Sequence, residues 1–371
     1  MSNKIVVLTF LYSSNLMSIL LKKLVLVVRT HIDKVSWQFV MLAVLGHLTL
    51  TWIMLVLAGE HELTKAQHYI YYYIVTTSTV GYGDFSPTTD LGKWCVALFQ
   101  IPFGLALFGV FLGKTGQSIT QTIKRSMTGE NNFSHFEDHI IIFGWHETRT
   151  NKIIQHILAD NKRLARRILL AVTDDMHHPF HNNPYVDFAK LTSFTDLAEL
   201  NRVAIGQADK IIVDGTDDNQ TFTTSLRVSK LVKPQCHISA YFIDDSKIEM
   251  LRDHCKNVEC SSSKSAEILV RSMQDPGSSR VQEELLSTLY GDTQFSLVIP
   301  DTVSSLTFSS IFHYFKDKHD AIVLGVAHSR IADQLELNPP LGYTVNSGDI
   351  LHYIAPERVL TDEVDWNNLT S

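Results

Sequence analysis

Thr76-Thr77-Ser78-Thr79-Val80-Gly81-Tyr82-Gly83-Asp84 is the stretch that decides how the rest of this chain is read. An extended Thr-Val-Gly-Tyr-Gly run can turn its successive backbone carbonyls towards one axis. Gly81 and Gly83 matter there, because alternating carbonyl orientation needs φ/ψ values that a Cβ makes costly. Where four copies meet, such carbonyls replace the hydration shell of a dehydrating cation. Thr79 adds a hydroxyl at the inner mouth, and Tyr82 can brace the ring from outside. The alternative is a Gly-Tyr-Gly turn in a soluble loop, and the flanking sequence argues against it.

Upstream, Trp37 to Ala58 reads WQFVMLAVLGHLTLTWIMLVLA, with no Lys, Arg, Asp or Glu. A helix of that length covers roughly 33 Å, enough to cross a bilayer. Trp37 and Trp52 suit its interfaces. His47 falls in mid-span, where it is either a proton or metal sensor or a neutral ring hydrogen-bonded against a neighbouring helix. The second reading is preferred. Ala66–Thr77 (AQHYIYYYIVTT) is too short to span and too apolar for a solvent loop, which predicts a re-entrant helix. Its C-terminal end points partial negative charge at the centre, favouring a cation. Tyr69, Tyr71, Tyr72 and Tyr73 are expected to pack around the run and hold its diameter.

Downstream, Leu91 to Ile119 predicts a second spanning helix. Pro102 and Gly104 stand near its middle and favour a bend, with Gly109 a second hinge candidate. The competing reading is that these residues only permit close helix packing. Residues 5–28 are apolar but broken by Ser13-Ser14-Asn15 and Lys22-Lys23, and are read as an interfacial helix, with a weak third span as the alternative. Lysines and arginines gather before the first span and after the second, while Glu60, Glu62, Asp84 and Asp90 lie between them. Both termini are therefore placed in the cytosol. The net charge of −7 over 371 residues disfavours nucleic acid as a partner. The four cysteines form no CxxC pair and read as reduced thiols.

From Thr79 to Asp84 the run resembles the filter signature of the potassium-channel family. That resemblance implies a homotetramer in the cell membrane, passive potassium conduction, and ion-binding carbonyls on Thr79, Val80, Gly81, Tyr82 and Gly83. It also implies an inner helix that bends to gate, near Pro102–Gly104 or Gly109. The position four before Thr79, acidic in some members of the family, is Val75. No Arg-x-x-Arg ladder precedes the pore, so no voltage sensor of the usual kind is expected.

Past the second span the pattern changes to alternating apolar strands and helices: His139–Phe143, Ile168–Val172, Tyr185–Phe188, Lys210–Val213, His237–Phe242 and Val258–Cys260 as strands, with Lys152–Leu158, Asn219–Leu231 and Lys247–His254 among the helices. That alternation predicts a parallel sheet covered on both faces. Ala208-Asp209-Lys210-Ile211-Ile212-Val213 and Ser265-Ala266-Glu267-Ile268-Leu269 look like phrases of the RCK domain, the regulator of potassium conductance. Leu341-Gly342-Tyr343 and Ser347-Gly348-Asp349-Ile350-Leu351 resemble its C-terminal lobe. The RCK resemblance implies a dimerising, ligand-gated ring, with Met127 a possible internal start supplying extra free RCK domains. The fold expected is an α-helical membrane pore joined to a cytosolic α/β Rossmann-like domain. Its parts are an N-terminal segment 1–35, pore 36–119, linker 120–137, Rossmann-like lobe 138–278, crossover helix 279–293 (centred on Gln282–Tyr290), C-lobe 294–356 and tail 357–371.

The nucleotide fingerprint is degraded. Gly144 holds the first position of a G-x-G-x-x-G turn, but His146 and Arg149 replace the other two glycines, so ordinary dinucleotide binding is disfavoured. Asp174 and Asp175 end the second strand where a ribose carboxylate would lie, and Arg149 could itself meet a phosphate. Asp214 matches one acid of the calcium site of calcium-gated relatives, yet Ala240 and Phe242 replace its two glutamates. Asp217, Asp244 and Asp245 are candidates for another divalent site, against the plainer reading of helix caps. Asp174, Asp175, His177, His178 and His181 form a candidate transition-metal patch. A nucleotide or divalent cation is thus the expected gating ligand. The rival functions are a regulatory subunit of a potassium transporter and, least favoured, a membrane-anchored NAD(P)-dependent oxidoreductase. No acid/base or nucleophile constellation supports an enzyme.

Overall fold

A computed structural model describes residues 35–160, 166–332 and 334–369. The expected interfacial helix at 5–28 lies outside them. The chain divides into two compact units, 1–124 and 125–371.

In the first unit, α1 spans Trp37–Leu57 and is capped by the Ser36 hydroxyl, which accepts from the Phe39 amide. Its buried residues Val40, His47, Thr51 and Leu55 fall on one stripe, while Leu42 and Leu57 are among its exposed side chains. A helix that is apolar all round yet buries one narrow stripe suits lipid on its other faces. The re-entrant helix α2 is Ala66–Thr77. The second span, α3, runs unbroken from Asp90 to Thr128, with a π-helical turn at Val96–Gln100. Pro102 lacks an amide for the Leu98 carbonyl, and its ring would press on that carbonyl in a regular helix; the widened turn just before it relieves both. The stretch expected as linker is helical as far as Thr128. It ends at Gly129, whose φ of +73° is the left-handed conformation that closes helices.

The second unit begins with β1 (Ile140–Phe143), α4 (Glu147–Ala159), β2 (Ile168–Val172), β3 (Val186–Lys190), α5 (Leu197–Arg202), β4 (Lys210–Val213), α6 (Asp218–Val228), β5 (His237–Phe242), α7 (Asp245–His254) and β6 (Val258–Ser262). Every pairing is parallel and the order is β3-β2-β1-β4-β5-β6, the doubly wound arrangement. Ile-Ile-Ile-Phe of β1 and Ile-Leu-Leu-Ala-Val of β2 are buried throughout, as strands covered on both faces must be.

Two helices follow, α8 (Ser265–Gln274) and α9 (Ser278–Leu286), joined at Gly277 with φ +94°. The crossover helix expected at Gln282–Tyr290 therefore starts earlier and stops earlier, because Gly277 lets the chain reverse. The C-lobe pairs β7 (Thr293–Val298), β8 (Ile322–Ala327), β9 (Leu335–Leu337) and β10 (Ile350–Ala355) as an antiparallel sheet β9-β8-β10-β7, with helix Phe308–His319 packed against it. The Arg358 guanidinium reaches Asp160 at 2.6 Å, and the Thr288 hydroxyl donates to the His156 carbonyl at 2.8 Å, joining the C-lobe region to α4.

Candidate functional site

At the end of α2 the backbone takes positive φ at alternate residues: +65° at Thr79, +57° at Gly81 and +78° at Gly83. Only glycine adopts that region at little cost, and a β-branched threonine there is an outlier of the kind that gathers at functional sites. Val80 and Tyr82, between them, are exposed on the single subunit.

The tyrosines divide their labour. The Tyr71 hydroxyl donates to Asp84 at 2.8 Å. The other three are buried and fix α2 to its neighbours. Tyr69 donates to the Leu48 carbonyl at 2.5 Å, Tyr72 to Gln100 Oε1 at 2.9 Å, and Tyr73 meets His47 Nδ1 at 2.6 Å. The mid-span histidine is thus bonded against a neighbouring helix.

One acidic residue that the motifs did not single out braces the outer side. Glu60 is 3% exposed and accepts from the amides of Thr88 and Thr89 at 2.8 and 2.7 Å and from their hydroxyls at 3.2 and 2.8 Å. Burial alone raises a carboxyl, but these four donors outweigh it and hold Glu60 below the ordinary carboxylate range. A Cβ on Gly92 would stand 2.3 Å from Glu60 Oε1, so the helix start and the carboxylate are fitted to each other. The available signal was its place, an acid directly after an apolar span. Of the hinge candidates, Gly104 is buried against α1 and α2, whereas a Cβ on Gly109 would meet nothing within 4 Å.

In the Rossmann-like lobe, β1 and β4 lie side by side at the topological switch point, and their C-terminal ends bring Gly144, His146, Arg149 and Asp214 together. Gly144 has φ +104°, and a Cβ there would fall 1.8 Å from the Asp214 carbonyl oxygen. The first glycine of the fingerprint is kept because two strands meet at it. The other two positions are filled from within. Arg149 donates to both Asp214 carboxylate oxygens at 2.6 Å and lies over the Tyr241 ring at 4.5 Å. His146 Nε2 donates to the Gly215 carbonyl at 2.8 Å. Side chains of the chain itself occupy the place where a pyrophosphate would approach backbone. Asp174 is exposed at the end of β2, and Asp175 pairs with Lys190 at 2.7 Å.

At Asp217 and Asp244 the structure follows the plainer reading of helix caps. Asp217 and Asp244 cap α6 and α7, accepting from the amides of Gln220 and Ser246. Between them Asp218 accepts from the Ile243 and Asp244 amides. The histidine patch fails for a similar reason: His178 Nε2 donates to the Val186 carbonyl and its Nδ1 accepts from the Phe180 amide, leaving no nitrogen for a metal. Among the described residues, no group of three or more His, Cys, Asp or Glu side chains is placed to hold an ion.

Residues 41–121 match the family model described as ion channel, Ion_trans_2. The chain is 24% identical over 297 residues to the putative potassium channel protein YugO of Bacillus subtilis (strain 168), covering 78% of this chain and 86% of that protein. It is 31% identical over 164 residues to the calcium-activated potassium channel slo-1 of Caenorhabditis elegans, 42% of this chain and 14% of that one. Among solved structures, the GsuK channel bound to NAD superposes with a TM-score of 0.40 at 16% identity, over 86% of this chain and 56% of its own length.

Proposed function

We propose that this chain, with two apolar spans among its described residues and an RCK-type Rossmann-like domain, is an ion-channel subunit that conducts potassium passively and is gated by a ligand acting on that domain. The observation that carries the reading is the alternation of positive φ at Thr79, Gly81 and Gly83, at the end of a re-entrant helix between two apolar helices of spanning length. The carbonyls of Thr79 to Gly83 coordinate the ion in a homotetramer. The inner helix opens or closes below them at Pro102–Gly104, with Gly109 the looser alternative. Both termini face the cytosol, following the charge distribution.

Ring formation is supported by α8 and α9. Neither buries a residue, and Leu269, Val270, Met273, Val281 and Leu286 are exposed along them. Such a face needs a second copy of the domain. The gating ligand that best fits the cleft is a nucleotide, whose phosphate takes Arg149 from Asp214 while Asp174 meets the ribose. A calcium ion at Asp214 is disfavoured, since Arg149 already neutralises it and Ala240 and Phe242 offer no oxygen side chain. A ligand moves the gate only by binding one ring geometry more tightly than the other.

Potassium flux from liposomes holding the purified full-length protein tests the reading. Barium-blocked flux selective for potassium over sodium is expected, and Gly81→Asp abolishes it. Undiminished flux in Gly81→Asp removes the pore assignment.

A further inference from the structure

One buried ring touches all three membrane helices. His47 belongs to α1, meets the Tyr73 hydroxyl of α2 at 2.6 Å, and stacks on Phe99 in the π turn of α3 with centroids 5.1 Å apart at 28°. Gly104, one helical turn further along α3, lies against the same ring. A Cβ built on Gly104 would stand 3.0 Å from Thr77 Cγ2, 3.2 Å from His47 Cε1 and 3.3 Å from Thr77 Oγ1. The hinge candidate therefore has its backbone wedged between His47 and Thr77, and Thr77 precedes Thr79 by two residues. Tyr72 adds a direct link from α2 to Gln100, at the end of the π turn.

The other ring nitrogen, Nε2, is buried without a hydrogen-bond partner. Thr77 Oγ1 and Gln100 Nε2 are likewise buried without a partner. At membrane depth there is no water to take over a lost bond, so the His47–Tyr73 contact fixes the ring firmly. A shift of α3 at Gly104 must displace either that ring or Thr77, and both displacements end on α2.

We propose that His47 is a positioning residue, tying motion of the inner helix at Gly104 to the pore helix that carries the filter. This rests on the channel reading above. His47 acts through Tyr73 and Thr77 and touches no ion.

The test is a mutant cycle on the full-length channel in planar bilayers, reading open dwell time and, as a filter-specific readout, barium dwell time. His47→Phe keeps the ring and its stacking but removes the hydrogen bond; Tyr73→Phe removes the other half. Each is expected to change both dwell times about threefold, the usual scale of one hydrogen bond between membrane helices. The double variant should go no further than the larger single change. Gly104→Ala should disturb gating less in a His47→Ala background than alone. Additive effects of His47→Phe and Tyr73→Phe, or barium dwell times untouched by both, overturn the proposal. Should His47→Phe fail to assemble, His47→Gln, which still reaches Tyr73, must give wild-type dwell times or the proposal falls. A wild-type protein without potassium flux instead brings down the channel reading and this inference with it, an outcome no variant of His47 can mimic.

Discussion

Arg149 and Asp214 stand 65 residues apart in sequence and are joined by two hydrogen bonds of 2.6 Å across the ends of adjacent strands. The carboxylate is 4% exposed and the guanidinium 38%. Arg149→Leu leaves a buried acid without its counter-charge. We expect a loss of about 2 kcal/mol, between the value of an exposed pair and that of breaking a buried one. A fall of several degrees in the melting temperature of the full-length protein in detergent would register it. Adding Asp214→Leu should restore part of that loss, since it removes the stranded charge.

On the proposed nucleotide reading, the same pair governs how the ligand enters the cleft. Asp214→Asn loosens the hold on Arg149 and should tighten ADP binding severalfold, while Arg149→Leu abolishes it. Isothermal calorimetry on the full-length protein decides the matter. Weaker ADP binding in Asp214→Asn would show that the phosphate does not exchange for the carboxylate. Any calcium response should be unaltered by Asp214→Asn.

Glu60 gives a pH dependence with a definite sign. Its carboxyl titrates lower in the folded protein than the ordinary 4.5. The stabilisation is therefore complete above the unfolded value and is lost as pH falls through the lower folded one. Neutral solution leaves the brace intact, and only strongly acid solution on its own side opens it. Glu60→Gln keeps the shape but weakens charge-assisted bonds, at a cost of about 1–2 kcal/mol. Thermal unfolding of the full-length protein in detergent should come at lower temperature and lose its acid dependence.

Gly144→Ala should be among the most damaging single changes in the soluble unit. It combines an unfavourable φ with a Cβ 1.8 Å from a backbone oxygen, so β1 and β4 must separate. A loss of about 3 kcal/mol or more is expected, seen as low yield and early melting. Wild-type melting in Gly144→Ala would mean the turn relaxes without strain.

The membrane half was legible where chemistry is local. The spacing of apolar residues gave α1, the short apolar run gave α2, and Gly81 and Gly83 announced their backbone. The strand order followed from β–α alternation, because parallel neighbours need crossovers. Contacts between residues distant in sequence were not legible: nothing near Arg149 in sequence names Asp214, and Thr88 and Thr89 lie far along the chain from Glu60. Asp217 and Asp244 read two ways, as helix caps or as metal ligands, because a helix cap and a cation both want a carboxylate at the end of a strand. The length of α3 was also missed, since its polar last turns read as a linker until Gly129 is seen to end the helix.

The π turn at Val96–Gln100 sets the phase of everything below it. One extra residue in an α-helix offsets the side chains beyond it by about 100° from where an uninterrupted helix would place them. A deletion of one residue within the turn would rotate the lower helix as a screw and turn a different set of side chains to its former face, with every other residue unchanged.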